Sequence, residues 1–237
     1  MRGYEGNTIP PIDDGYGEFT YPDDAEYKGE WKNHQPHGQG TWMNPNGDEY
    51  VGEFKDGYPG GWGTYVQAND GRTYTGYWKN NKIDGFGKYQ FSDGGTYEGF
   101  FEEGAKTVGK YTWPDGSSYS GEWGKHSEYP IVPDNPGAPS RLKKRWRVQS
   151  GYGTMTFADG SMYTGYWKDG KQNGQGTYID AHFEYVGEWL DGQKHGQGTK
   201  TYPTGTVVVG EFKHDNIATT QVPEHIEYAI GKLQHGR

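Results

Sequence analysis

Eight histidines and several adjacent carboxylates are the side chains in this sequence best equipped for chemistry. A zinc site needs three or four such ligands converging on one ion. His37 and His195 each stand in a His-Gly-Gln-Gly stretch, in equivalent places of distant segments, so each reads as a turn residue ahead of a glycine-rich strand. Asp13-Asp14, Asp23-Asp24 and Glu102-Glu103 are neighbours along the chain, whereas acid–base catalysis needs two carboxylates facing across a cleft. Gly116-Ser117-Ser118 lacks the setting of a nucleophile elbow. The chain has no cysteine, which excludes disulfides, thiolate metal sites and thiol catalysis. Gly-x-Gly recurs without a following helix and so makes no phosphate cradle. No catalytic, metal or cofactor-binding residue is assigned, and the expectation is a protein that is not an enzyme and carries no cofactor.

Two other sets of residues are equipped to bind. The first is aromatic: 9 Trp, 21 Tyr and 9 Phe in 237 residues, with a mean hydropathy of only −1.10. A disordered chain is poor in aromatic residues, so these rings point to a folded protein whose core is aromatic rather than aliphatic. The second is cationic: Arg141, Lys143, Lys144, Arg145, Trp146 and Arg147, directly after the proline-rich YPIVPDNPGAP. Such a segment suits an anionic lipid surface, such as phosphoinositide, or an acidic protein, and a solvated loop is the plain alternative. The net charge of −9 argues against general nucleic-acid binding.

The elements that position these residues follow from a period. Tyr-x-Gly begins at Tyr4, Tyr27, Tyr50, Tyr74, Tyr97, Tyr119, Tyr163 and Tyr185, with a worn copy at Val208-Val-Gly210. The spacings are 23, 23, 24, 23, 22, 44, 22 and 23 residues, and a fixed period marks a repeat architecture. Within residues 27–49, Tyr27, Gly29 and Trp31 alternate with Lys28, Glu30 and Lys32, a strand with one aromatic and one charged face. Gly38, Gly40 and Trp42 continue the pattern in a second strand, and Asn46-Gly47 closes the repeat with a tight turn. Glycines on the ring-bearing face leave bare backbone for neighbouring rings to cover, so one sheet can close its own core.

These residues resemble the MORN (membrane occupation and recognition nexus) repeat: Tyr-x-Gly-x-aromatic, then His-Gly-x-Gly, then Asp-Gly. The fit is closest at 27–47 and 185–205 and extends over about 4–213. Three repeats depart from it: NTIPPIDDGYG rewrites the middle of the first, Thr107 replaces a glycine in the fifth, and Asp180-Ala181-His182 replaces Asp-Gly in the seventh. Choline-binding repeats are glycine-aromatic hairpins of similar length but lack His-Gly-x-Gly and Asp-Gly. The resemblance implies an all-β, elongated, single-layer antiparallel meander of about eight to nine hairpins, and the strand spacing gives a body roughly 80 Å long. It further implies a non-enzymatic scaffold or adaptor, with protein partners such as a helix or peptide in an aromatic groove, and self-association in a larger assembly. Related arrays occur in cytoskeletal and ciliary assemblies, including radial spoke heads, so the implied location is cytoplasmic, cytoskeletal, ciliary or membrane-peripheral. The groove candidates are Tyr27, Trp31, Tyr50, Phe54, Tyr74, Trp78, Tyr97, Phe101, Tyr119, Trp123, Tyr163, Trp167, Tyr185 and Trp189.

The array is expected over 1–218, with 126–148 inserted in the loop of the sixth hairpin rather than between repeats. Residues 219–237 read as a capping segment: Pro223 opens, and Ile226, Ile230 and Leu233 at i, i+4 and i+7 predict a short amphipathic helix over about 224–234 that covers the last strand edge. MRGYEGNTIPPIDDGYG lacks the apolar run of a signal peptide, and no stretch nears the ~20 apolar residues of a membrane span.

Overall fold

Residues 10–124 and 149–221 are described by a computed structural model and fall into two units. The first, within residues 10–114, holds β1 (Gly15–Thr20), β2 (Glu26–Lys32), β3 (Gln35–Met43), β4 (Glu49–Lys55), β5 (Tyr58–Val66), β6 (Thr73–Lys79), β7 (Lys82–Gln90), β8 (Thr96–Glu102) and β9 (Ala105–Thr112). The second, within 115–124 and 149–221, holds β10 (Ser118–Trp123), β11 (Gln149–Thr156), β12 (Met162–Lys168), β13 (Lys171–Ile179), β14 (Glu184–Leu190), β15 (Gln193–Thr201), β16 (Val207–Lys213) and β17 (Asn216–Gln221). In each unit every strand pairs antiparallel with the next. The architecture is thus an all-β meander of hairpins, with no helix among the described residues. The first Tyr-x-Gly, the cationic residues 141–147 and the expected helix at 224–234 lie outside the described residues.

Alternation becomes burial directly. In β2, Tyr27, Gly29 and Trp31 are buried while Glu26, Lys28, Glu30 and Lys32 are exposed. The glycines pair with one another across strands, Gly29 with Gly40, Gly40 with Gly52 and Gly52 with Gly63. The result is a row of bare backbone crossing the sheet. The repeat tyrosine lies on that row: a Cβ on Gly29 would sit 2.6 Å from the Tyr27 hydroxyl. That hydroxyl donates to the Glu30 carbonyl at 2.8 Å, and the same bond recurs from Tyr50 to Glu53 at 2.9 Å and from Tyr185 to Glu188 at 3.0 Å. Tyr27, Tyr50, Tyr74, Tyr119, Tyr163 and Tyr185 each also meet two rings edge-on, their own repeat's and the next one's. Tyr50 stands 5.1 Å from Phe54 and 5.3 Å from Trp78 between centroids. Such T-shaped pairs add about 0.5–1.5 kcal/mol each beyond area burial. The Trp78 indole donates to the Gly63 carbonyl at 3.2 Å, so the buried polar tips are satisfied by backbone of the glycine row.

The turns divide in a way the sequence did not show. Two-residue turns with both φ angles positive fall between the two strands of a repeat, at Asn33-His34, Asn80-Asn81 and Asp56-Gly57. Asn46-Gly47, which ends its repeat, closes a wider loop instead, in which Asn44 N donates to Asp48 O at 2.8 Å and Gly47 N to Asn44 O at 2.8 Å. The Asp115 carboxylate accepts from both the hydroxyl and the amide of Ser117, and these bonds hold it below its usual range. Successive two-residue turns are tied together, Gly57 N donating to Pro36 O and Asn81 N to Pro59 O, both at 3.0 Å.

The departure at Thr107 has a structural counterpart. β9 is one residue shorter than β7, and Lys106 enters the ring layer where Pro36, Pro59 and Ile83 stand in earlier repeats. Its ammonium lies 4.6–4.7 Å from the centroids of Phe91, Tyr97 and Tyr111.

Burial pushes the tyrosine phenols up, Tyr111 and Tyr185 to about 12 and Tyr27, Tyr50, Tyr74, Tyr119 and Tyr163 higher. In the unfolded chain a phenol ionises near pH 10. Above that value the unfolded state releases protons that the folded state keeps, so the phenols leave stability unchanged below pH 10 and lower it as the pH rises through 12. The expected result is a melting temperature unchanged between pH 7 and 9 that drops steeply above 10. Tyrosinate absorbance from the buried set should appear together with loss of near-UV ellipticity. Ionisation of that set with the ellipticity intact would contradict the burial.

Candidate partner-binding surfaces

The fourteen groove candidates are core. Tyr27, Tyr50, Tyr74, Tyr97, Tyr119, Tyr163 and Tyr185 are fully buried, and Trp31, Phe54, Trp78, Phe101, Trp123, Trp167 and Trp189 are buried beside them. The glycine row lets these rings lie flat against backbone and against each other, which leaves them almost no surface for a partner. The other candidate set, Arg141, Lys143, Lys144, Arg145, Trp146 and Arg147, falls in residues 125–148, which separate the paired strands β10 and β11 and lie outside the described residues.

Aromatic surface is instead found on the opposite face. At one register position three cross-strand pairs are polar: Gln39 with Glu53, Gln175 with Glu188, and Gln197 with Glu211. At the same position three are aromatic: Trp62 with Tyr77, Phe86 with Phe100, and Tyr152 with Tyr166. Their centroids lie 5.1, 5.4 and 5.4 Å apart. The glutamates have a structural task that the rings do not perform. Glu30 Oε1 accepts from Gln39 N at 2.9 Å, and Glu188 Oε1 from Gln197 N at 3.1 Å, across the bulge made by a left-handed glycine.

In the first unit two aromatic pairs occupy the four consecutive strands β5–β8. Tyr77 packs against Gly85, next to Phe86, so Trp62, Tyr77, Phe86 and Phe100 form one strip. They are 43, 51, 39 and 51% exposed, and a contiguous exposed apolar patch of this kind marks an interaction site. The signal was present in the sequence as the middle residue of Gly-x-Gly and the third residue after the repeat tyrosine. It is a departure from Gln and Glu that becomes meaningful only once the two positions are known to be opposite one another.

The histidines are placed differently from expectation. His37 and His195 sit inside β3 and β15, just before Gly38 (φ 59) and Gly196 (φ 61), rather than in turns. The His37 carbonyl accepts from the Tyr27 hydroxyl at 3.2 Å. The His195 and His214 rings are 5.8 Å apart. Among the described residues no group of three or more His, Asp or Glu side chains is arranged to hold a metal ion, and no helix is long and apolar enough to cross a membrane.

A family model described as MORN repeat matches residues 14–25, 27–49, 50–72, 74–96, 97–118, 148–162, 163–181 and 185–207. A search of the curated proteins finds no match. Among solved structures the chain is similar to the SAS-4 (dCPAP) TCP domain of Drosophila melanogaster, solved with a proline-rich motif of Ana2 (dSTIL). That pair is 12% identical with a TM-score of 0.42, covering 90% of this chain and 99% of that one. It is also similar to a CPAP G-box domain, at 16% identity and TM-score 0.32 over 88% of this chain and 99% of that one. A third is the TCP10 domain of Danio rerio CPAP, solved with a STIL peptide, at 18% identity and TM-score 0.27 over 88% and 100%.

Proposed function

Because this chain belongs to the MORN repeat family, we propose that it is a non-enzymatic scaffold that holds a partner protein on the aromatic strip of its first unit. The observation that carries this reading is the row Trp62, Tyr77, Phe86 and Phe100 on the face opposite the core. Half-exposed rings on four consecutive strands cost solubility and cannot make the hydrogen bond by which glutamate braces the bulge in other repeats. Large aromatic side chains are what interface hot spots are made of. The partner's chemistry follows from charge. Residues 10–114 carry seventeen acids against nine lysines and arginines, so an apolar segment flanked by basic residues, as a helix or extended peptide, matches both the rings and the surrounding field.

The protein supplies its own fold-neutral control. Converting Trp62 and Tyr77 to Gln and Glu, and Phe86 and Phe100 likewise, installs the polar pair found at Gln39–Glu53. The expected melting temperature changes by no more than about 2–4 °C, while affinity for the partner purified from native cells falls by more than about 30-fold. Equal recovery of that partner by the converted chain would exclude the strip.

A further inference from the structure

The aromatic row on the outer face of the first unit continues past Phe100. In β7 the residue between Gly85 and Gly87 is Phe86, and the equivalent residue of β9, just ahead of Gly109, is exposed Val108. Gly109 pairs with Gly99 as Gly87 does with Gly76, and the Thr107 hydroxyl donates to the Phe100 carbonyl at 3.2 Å. Val108 is thereby set beside Phe100. Trp62, Tyr77, Phe86, Phe100 and Val108 stand one to a strand over β5–β9, so the row runs across the strands and not along any of them.

An occupant that touches the whole row must therefore cross the strands. Four strand-to-strand steps of about 4.8 Å give the row a length of about 19 Å. Side chains on one side of an extended chain recur about every 6.7 Å, so such a chain falls about 8 Å out of step over that length. An α-helix presents an apolar residue every three or four positions, about 5.3 Å apart on average, and drifts by only about 2 Å. Backbone chemistry gives the same answer. β5, β6, β7 and β8 each pair with a strand on both sides, so their amides and carbonyls are engaged within the sheet. An extended guest on this face finds no ladder to join, because strand addition needs a sheet edge. A helix satisfies its own backbone.

We propose that the partner segment is an amphipathic α-helix laid across β5–β9, its apolar stripe at i, i+4, i+7, i+11 and i+14 seated on this row, with a basic residue beside the position over Phe100. The inference rests on the strip being the partner site and adds the occupant's conformation, length and charge. The place of the cation follows from register. Glu98 and Glu102 stand on the same face of β8 as Phe100, one on each side of it, and both are exposed. Glu98 has Lys88 and Lys110 opposite it, whereas Glu102 has Ala105. Neighbouring Lys82 is paired with Glu103 at 3.6 Å. Glu102 is thus the carboxylate beside the row that faces no lysine across its strand pair, and a cation on the helix complements it.

Two synthetic peptides of identical composition, about 18 residues of leucine, lysine, glutamine and alanine, read this directly. One carries its leucines at i, i+4, i+7, i+11 and i+14, the other at every second position. Measured by fluorescence anisotropy against the full chain, the first should bind at least about tenfold more tightly and gain helical ellipticity on binding. Glu102→Lys and Val108→Gln should each weaken it by about two- to fivefold, and conversion of the four rings should abolish it. Near-UV ellipticity confirms that each variant is folded. If the alternating peptide bound at least as tightly, and lost binding on conversion of the rings, the helix would be overturned and the strip would stand. Peptide binding indifferent to that conversion would count against strip and helix together. Failure of both peptides to bind would overturn the helix alone, because recovery of the native partner tests the strip separately.

Discussion

Gly63→Ala should destabilise the first unit by about 3 kcal/mol or more, far beyond an ordinary glycine replacement. Gly63 pairs with Gly52 on one side and Gly76 on the other, in the middle of the bare row. A Cβ there would lie 2.6 Å from Tyr50 Cε2 and closer still to the phenol oxygen. The ring has nowhere to go. It is fully buried, held edge-on by Phe54 and Trp78, and its hydroxyl is bonded to the Glu53 carbonyl. Gly57 is the informative comparison, because its φ of 83° is in the left-handed region yet nothing lies within 4 Å of a Cβ. Alanine there costs backbone strain alone, about 1–2 kcal/mol. Thermal melts should therefore fall by about 6–12 °C for Gly63→Ala and by about 2–8 °C for Gly57→Ala. If Gly57→Ala proved the worse of the two, turn conformation and not ring packing would be the reason for the glycines.

Tyr74→Ala should cost about 3–5 kcal/mol, the range for emptying a buried aromatic site. Tyr74→Phe should cost only about 1 kcal/mol, the net value of one hydrogen bond, here the one its hydroxyl gives the Tyr77 carbonyl at 3.1 Å. The consequences should also differ in extent. Tyr74 stands 5.3 Å from Trp78 of its own repeat and 5.4 Å from Phe101 of the next. In a repeat array each element is stabilised chiefly by its neighbours, so removing this ring uncouples two repeats rather than one. Hydrogen exchange should lose protection across β6–β8 in Tyr74→Ala and only locally in Tyr74→Phe. A loss confined to β6 in the alanine variant would show that the inter-repeat contact contributes little.

Much of the fold was legible because the repeat states each rule many times over. One Tyr-x-Gly-x-Trp is a short alternating run; eight in register fix the strand period and the ring-bearing face, and the paired glycines explain how that face closes. The turn types were less legible. Asn-Gly and Asp-Gly accept positive φ wherever they occur, and only the chain's path shows that Asn33-His34 and Asn80-Asn81 take the two-residue turns. The burial of the fourteen candidate rings was hidden for a related reason. Abundant aromatic residues on one face are compatible with a groove or with a core, and alternation alone does not tell the two apart.

By itself, the sequence determined the hairpin repeat, the alternation of its faces and the absence of thiol chemistry, because these depend on local stereochemistry and on residue type. The tertiary structure decided which aromatic residues are available. Tyr27 and Trp31 vanish under their neighbours because the glycine row permits closest approach. Trp62, Tyr77, Phe86 and Phe100 become one surface because register places residues distant in sequence on adjacent strands. Register is a property of paired strands and not of any one of them.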